Sequence, residues 1–424
     1  MTLARLQARK LHLDGSLHPD FHGVELVLRD MLRAYPGGAA VSVYHRGERV
    51  VDLWGGYSDA EGTRWTSDTM APSFSTTKGV AATLLHIYAD RGLVDYDAKV
   101  AEYWPEFAQA GKADITVRHV LSHQSGLYHI RQMIDHIDRM MDWDHMIEAI
   151  ERTMPAHAPG ERTGYHGLTF GFLVGEILQR VSGKKFSDLV QAEIAKPLKL
   201  DGLYIGAPEK AIKRAAQLIF PDTTQRLSQT SLGSRLEIGA SQFSKLLRRL
   251  GMDTDLTSIF DALAPNGVSN FDFGSPECLR SAIPAANGLF TARSLARMYA
   301  TLANGGELDG VRLLSEEALE TATVLQKPTG KLSVIPFDMR WRLGYHGVFT
   351  TRGFPPHAFG HFGFGGSGAW ADPSQELAVA LIVNSGLGSP FGDLRTARVS
   401  GAALASARAR SRTRRLPRIA LGSA

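Results

Sequence analysis

A hydroxyl and an amine three residues apart at the start of a helix can carry out acyl chemistry, and Phe74-Ser75-Thr76-Thr77-Lys78-Gly79-Val80 supplies both. Val80, Leu84, Ile87 and Tyr88 recur at the spacing of one helical face over 76–90, and Arg91-Gly92 provides a stop. Ser75 and Lys78 then share a face. At a helix start, unpaired backbone N–H groups and the positive end of the dipole lower the cost of an alkoxide. The chemistry that fits is attack by a serine oxygen, with an amine to take its proton.

Spacing alone decides little, because Ser182-Gly183-Lys184-Lys185 repeats the Ser-x-x-Lys pattern. That second copy closes a helix ending at Val181, with Gly183 as its cap and its lysines in solvent. Ser75 has the same ordinary reading, a capping serine beside a solvated lysine, so further partners are required. Two stretches offer them. Pro159-Gly160-Glu161-Arg162-Thr163-Gly164-Tyr165-His166-Gly167 sets a tyrosine on a glycine-bounded turn before a helix. Phe359-Gly360-His361-Phe362-Gly363-Phe364-Gly365-Gly366-Ser367-Gly368 is a glycine-rich strand and turn. Taken singly, Tyr165 is an ordinary buried tyrosine, His361 a structural histidine and Tyr128 a packing residue at the edge of a pocket.

The elements that must position these groups are legible in outline. Val41, Val43, Val50 and Leu53 alternate around Arg46-Gly47-Glu48, a hairpin signature. Thr116 is a candidate cap for a helix within 115–130, and helical periods dominate 142–191. The pattern weakens over 201–270, with loops at Pro221-Asp222-Thr223-Thr224 and Pro265-Asn266-Gly267. A helix returns over 292–304. Strand signals follow at 339–345, 368–372 and 377–383. Strands at both ends and helices between them predict an α+β fold: an antiparallel sheet built from both chain ends, flanked by helices, with an inserted all-helical domain. The expected divisions are 1–114, 115–270 and 271–424.

With 424 residues, 44% hydrophobic and 21% charged, the chain reads as a soluble globular protein able to bury a large core. Its single cysteine, Cys278, cannot form an internal disulfide and reads as an unreactive thiol. The first ten residues lack an apolar run, and no window is long enough to span a bilayer, so the expected location is the cytoplasm. The net charge of +4 comes from a tail of Arg408, Arg410, Arg412, Arg414, Arg415 and Arg418. Without them the rest carries about −2, which argues against nucleic acid as a partner; the tail reads as a solvated, frayed terminus. His119, His123 and His129 lie near one another without a His-Glu-x-x-His or cysteine pattern, so no metal is expected, nor any other cofactor. Phosphate-binding glycine loops are missing. Gly365-Gly366-Ser367-Gly368-Ala369 fails as a nucleophile elbow at its last position.

Five segments in order give the chain a resemblance to the serine hydrolases that include class C β-lactamases, DD-peptidases and the family VIII-type carboxylesterases. They are Ser75-Thr76-Thr77-Lys78, Leu121-Ser122-His123-Gln124-Ser125-Gly126-Leu127, Tyr165-His166-Gly167, Ile283-Pro284-Ala285-Ala286-Asn287-Gly288-Leu289 and His361-Phe362-Gly363. The resemblance implies Ser75 as nucleophile, Lys78 as base and Tyr165 as general acid and base, with a phenol made more acidic by a nearby ammonium. It places the oxyanion between the N–H groups of Ser75 and Phe364, after Gly363, with His361 orienting substrate and Tyr128 lining the site. Gly167 stands where the family's Tyr-x-Asn has asparagine, and His361 where Lys-Thr-Gly has lysine. Both departures weaken recognition of a β-lactam and favour the esterase branch. The expected activity is hydrolysis of small esters with short to medium acyl chains, with weak β-lactamase activity beside it. Transfer of the acyl group to an alcohol or amine, and a non-catalytic binding role, are the alternatives. Phe354, Phe359, Phe362, Phe364 and Trp370 are the expected apolar walls. Oligomeric state is not legible.

Overall fold

Strands from opposite ends of the chain lie side by side. The computed structural model describes residues 11–219, 256–385 and 394–415; residues 1–10, Pro221-Asp222-Thr223-Thr224 and Arg418 lie outside them. The strands of the main sheet are β1 (Leu13–Leu17), β2 (Gly38–His45), β3 (Glu48–Gly56), β4 (His346–Gly347), β5 (Phe359–Phe362), β6 (Gly368–Asp372) and β7 (Leu377–Val383). They form one sheet in the order β1-β3-β2-β7-β6-β5-β4, with every neighbouring pair antiparallel. The α+β arrangement with a sheet from both chain ends is the one expected.

The predicted hairpin turns at Arg46 (φ 57°) and Gly47 (φ 75°), two left-handed residues whose twist suits the flanking strands. Strand β7, buried along its whole length, shows why its sequence is apolar without alternation. Leu377, Val379, Leu381 and Val383 join Val41, Val43, Val50 and Leu53 in the core beneath α1 (His22–Ala34) and α7 (Leu394–Arg415). The small Ala378 and Ala380 face the other way, where α6 (Ala292–Ala303) packs close through Ala292, Ala296, Ala300 and Ala303. That second core also takes in α2 (Thr77–Asp90), α3 (Trp143–Arg152) and α4 (Thr169–Ser182).

Two expectations are corrected. Residues 339–345 are not a strand: Arg340 (φ 55°) and Gly344 (φ 77°) turn the chain, and the Arg342 guanidinium donates to the carbonyls of Thr323, Arg340 and Pro356. Sheet pairing begins only at His346. Nor is the basic end frayed throughout. Helix α7 runs to Arg415, and Arg410 is 6% exposed, its guanidinium 2.7 Å from Glu48. Among the described residues no helix is long and apolar enough to cross a membrane.

Candidate active site

Ser75 sits in a short 3₁₀ turn, Phe74–Thr76, that feeds directly into α2. Phe74 holds a left-handed φ of 45°, an uncommon conformation for a bulky residue and one that concentrates at functional sites. The Ser73 N–H donates to Gly288 O, and Gly288 N–H donates to Thr77 Oγ1, which ties the turn to the segment 283–289.

Lys78 lies fully buried one turn on. Its Nζ is 3.0 Å from Ser75 Oγ, 2.6 Å from Gly167 O and 3.0 Å from Ala285 O. Burial pushes the ammonium well below its ordinary pKa, with no carboxylate to offset it. A neutral amine has two N–H bonds and one lone pair. The carbonyls of Gly167 and Ala285 can only accept, so they use both N–H bonds. In the neutral form the lone pair is left for Ser75 Oγ, the third partner of Nζ. The Tyr165 hydroxyl donates in turn to Ser75 Oγ at 2.9 Å.

Tyr165 is placed by its neighbours in sequence. The strand Thr163–Gly164 pairs in parallel with Leu332–Ser333, and Tyr165 N–H donates to Ser333 O. His123 accepts from the backbone N–H of His166 at Nδ1, while its own carbonyl accepts from Gly164 N–H. Ser125 Oγ and Leu127 N–H meet His166 Nε2 at 2.6 and 3.2 Å. The segment 121–127 thus buttresses the tyrosine loop. Trp341 lies parallel to the phenol at 5.6 Å between centroids, and His361 faces it at 6.3 Å. Burial raises the phenol pKa, so the expected acidification by an ammonium does not hold in the resting site. Enclosure of the ring outweighs its hydrogen bond with Ser75.

The glycine-rich turn reaches Ser75 from the sheet. A Cβ on Gly363 would lie 2.3 Å from Ser73 O, so only glycine lets the two backbones touch. Phe364 follows, its ring edge-on to Phe74 at 5.4 Å. His361 is buried on β5; Nδ1 donates to Phe362 O, Nε2 has no protein partner, and burial holds the ring well below the usual pKa. Tyr128 is 3% exposed and packs its ring under Gly164, in one apolar cluster with Tyr165.

Of the five expected walls only Phe364 stands beside the nucleophile's turn. Phe359 packs on Tyr345 in one core, while Phe362 and Trp370 enter the other, as side chains alternate along a strand. Phe354 is 64% exposed. The second Ser-x-x-Lys closes α4, with Gly183 (φ 69°) capping it and both lysines exposed. Ser367 Oγ bonds within the sheet at Val383, and burial pushes the Cys278 thiol up to about 12. His119 meets Thr116 and His129 meets Ser258; among the described residues no three His, Cys, Asp or Glu side chains gather as metal ligands.

Sequence reasoning missed the carbonyls of Gly167 and Ala285, since backbone acceptors leave no residue signature. It also missed Gly171, Trp341 and Arg395. Gly171 had a signal, a glycine inside an apolar helical pattern. Its missing side chain admits the backbone of Pro284 and Ala285, which a Cβ would meet at 2.4–2.5 Å. Buried Arg395 donates to Gly365 O and Ser385 O, and Thr396 Oγ1 donates to Gly366 O, so the start of α7 fixes the glycine turn.

A half-buried serine joined by hydrogen bonds to a buried lysine and tyrosine, between a two-ended antiparallel sheet and a helical region, is the arrangement of a class of serine hydrolases. The family model described as Beta-lactamase matches residues 28–403, and the chain belongs to that family. It is 38% identical to the Mycobacterium tuberculosis protein named Esterase/beta-lactamase LipL, over 87% of this chain and 82% of that one. A family VIII carboxylesterase structure superposes with a TM-score of 0.80 at 32% identity, covering 93% of this chain and all of the other. A penicillin-binding protein homologue from Caulobacter crescentus gives a TM-score of 0.79 at 33% identity, with the same coverage.

Proposed function

We propose that this protein is a serine carboxylesterase that cleaves esters of short to medium acyl chains through an acyl-enzyme on Ser75, with weak β-lactamase activity beside it. The observation that carries the reading is the setting of Lys78: a fully buried Nζ within hydrogen-bond reach of two carbonyls and of Ser75 Oγ, so that in its neutral form the lone pair takes the serine proton. A base poised in this way is what an unactivated serine lacks. The esterase names of the LipL protein and of the family VIII structure agree with it.

In acylation, Ser75 Oγ bonds to the ester carbon while its proton moves to Lys78 Nζ. The carbonyl electron pair becomes the oxyanion, held by the N–H groups of Ser75 and Phe364. As the bond to the alcohol breaks, Tyr165 gives its proton to the departing oxygen. The acyl-enzyme then holds a Lys78 ammonium and a Tyr165 phenolate, and the ammonium's place, 5.2 Å from the ring centroid, stabilises both charges. In deacylation the phenolate takes a proton from water as water attacks, and Lys78 returns its proton to Ser75. Each group recovers the state it began in. His361 borders the phenol and orients the substrate.

The test is turnover of p-nitrophenyl esters of graded length and of a chromogenic cephalosporin by wild type and Ser75→Ala. Ester hydrolysis abolished by the substitution, with an acyl adduct on the Ser75 peptide by mass spectrometry, is the expected result. Equal turnover by Ser75→Ala would remove Ser75 as the nucleophile.

A further inference from the structure

The departure at Gly167 has a partner elsewhere in the chain. Helix α5 (Leu256–Leu263) lies over this residue, and a Cβ built on Gly167 would meet Leu263 Cδ2 at 2.3 Å and Ala262 O at 3.0 Å. Gly167 O is itself a hydrogen-bond partner of Lys78, so the tip of Leu263 stands within one residue of the base. Two polar residues of α5 are engaged elsewhere. Ser258 Oγ meets His129, and Asp261 accepts from Gln132. What α5 presents to Gly167 is hydrocarbon and backbone alone.

That hydrocarbon continues around Tyr165. Ala262, Val334, Ile335 and Trp341 form one apolar cluster with the phenol ring, and Leu263 packs against it, only half-buried. Val334 holds a left-handed φ of 71°, a strained conformation for a β-branched residue, at the point where the chain leaves its pairing with Thr163–Gly164. The members of that cluster carry no side-chain donor or acceptor besides the hydroxyls of Tyr128 and Tyr165 and the indole N–H, while the rings of His123 and His361 border the phenol on its other sides.

We propose that Leu263 sets which esters the site takes: it closes the space above Gly167 against amide-bearing acyl groups and gives hydrocarbon acyl groups a wall. The substrate class is then esters of plain aliphatic acids, not of N-acylated amino acids. An amide placed against Leu263 would lose its hydrogen bonds to water without replacement, whereas an alkyl group of the same shape would not. The inference rests on the esterase reading and narrows it.

Two p-nitrophenyl esters with acyl groups of the same shape test it, 4-methylpentanoate and N-acetylglycinate, each rate being divided by that with hydroxide. The wild type is expected to prefer the first in kcat/KM by at least about tenfold, and Leu263→Ala to shrink that ratio about tenfold, the scale of a methylene-sized change in an apolar pocket. Gly167→Asn alone should lose most turnover of both esters, and Gly167→Asn with Leu263→Ala should regain it with N-acetylglycinate favoured. Thermal melts establish that each variant is folded. A ratio moved less than twofold by Leu263→Ala, or a Gly167→Asn enzyme as active as wild type, would overturn the role of Leu263 and leave the esterase reading standing. Wild type inert towards p-nitrophenyl acetate as well would sink both.

Discussion

Gly171→Ala should disable the site without touching substrate. The new methyl would lie 2.4 Å from Ala285 N and 2.5 Å from Pro284 C, backbone atoms that cannot rotate aside. Restoring ordinary contact at 3.4 Å displaces the segment by about 1.0 Å. Ala285 O is 3.0 Å from Lys78 Nζ, and a shift of that size away from the lysine breaks the hydrogen bond. One buried N–H and one buried carbonyl lose their partner, which together with the overpacking costs about 2–4 kcal/mol of stability. The amine can then turn its lone pair away from Ser75, and a misplacement of about 1 Å in a catalytic constellation costs about 10²-fold in rate. Hydrolysis of p-nitrophenyl butyrate and a thermal melt, each beside wild type, measure both consequences. Activity within twofold of wild type and an unmoved melting point would refute the claim that the close approach of α4 to the segment 283–286 holds the lysine.

Tyr165→Phe keeps the ring packing and removes the proton donor; it should lower kcat by about 10² or more with a smaller change in KM, as steady-state kinetics on an alkyl ester will show. Because burial depresses the Lys78 pKa and raises that of Tyr165, kcat/KM should rise with pH through the lysine's lowered pKa and then stay level to at least about pH 10. A fall between pH 8 and about 10 would contradict this assignment of protons. Stability should fall in acid. His86 and His346, held to about 4 by burial, are neutral when folded and titrate near 6.5 when unfolded. Between those values the unfolded chain binds more protons, so stability is full above about pH 6.5 and declines as pH drops towards about 4. Each such histidine contributes up to about 3 kcal/mol, and urea melts at pH 7.5 and 5 will register the loss.

Much of this molecule is visible in its letters. The hairpin, the apolar run of β7 and the glycine turn are carried by side-chain types and spacing, which a sequence displays directly, whereas the triad emerged only through the resemblance of five ordered segments. The α+β layout follows because apolar alternation survives at both ends of the chain. What escaped notice has a common physical origin. The lysine's two acceptors are backbone carbonyls, available at any residue, and their arrival depends on the close approach permitted at Gly171. The strand expected over 339–345 failed because Met339 and Trp341 serve a cluster around Tyr165 while Leu343 and Tyr345 enter the larger core, and Arg340 and Gly344 bend the backbone out of extension. The acidity expected of the phenol left out the ring's own enclosure, which raises its pKa and depends on distant segments closing around it. Arg410 illustrates the same limit: a run of arginines reads as solvent-facing until a partner such as Glu48 comes to it from far away in sequence.

The place of β7 governs how the polypeptide can come together during synthesis. Its neighbours are β2 on one side and β6 on the other, so residues made first stay half-paired until residues 377–383 leave the ribosome. Over that interval the emerging hairpin exposes a bare apolar edge, the kind of surface that recruits chaperones or aggregates. Pairing of β7 with β2 joins residues far apart along the chain, the kind of contact that forms slowly.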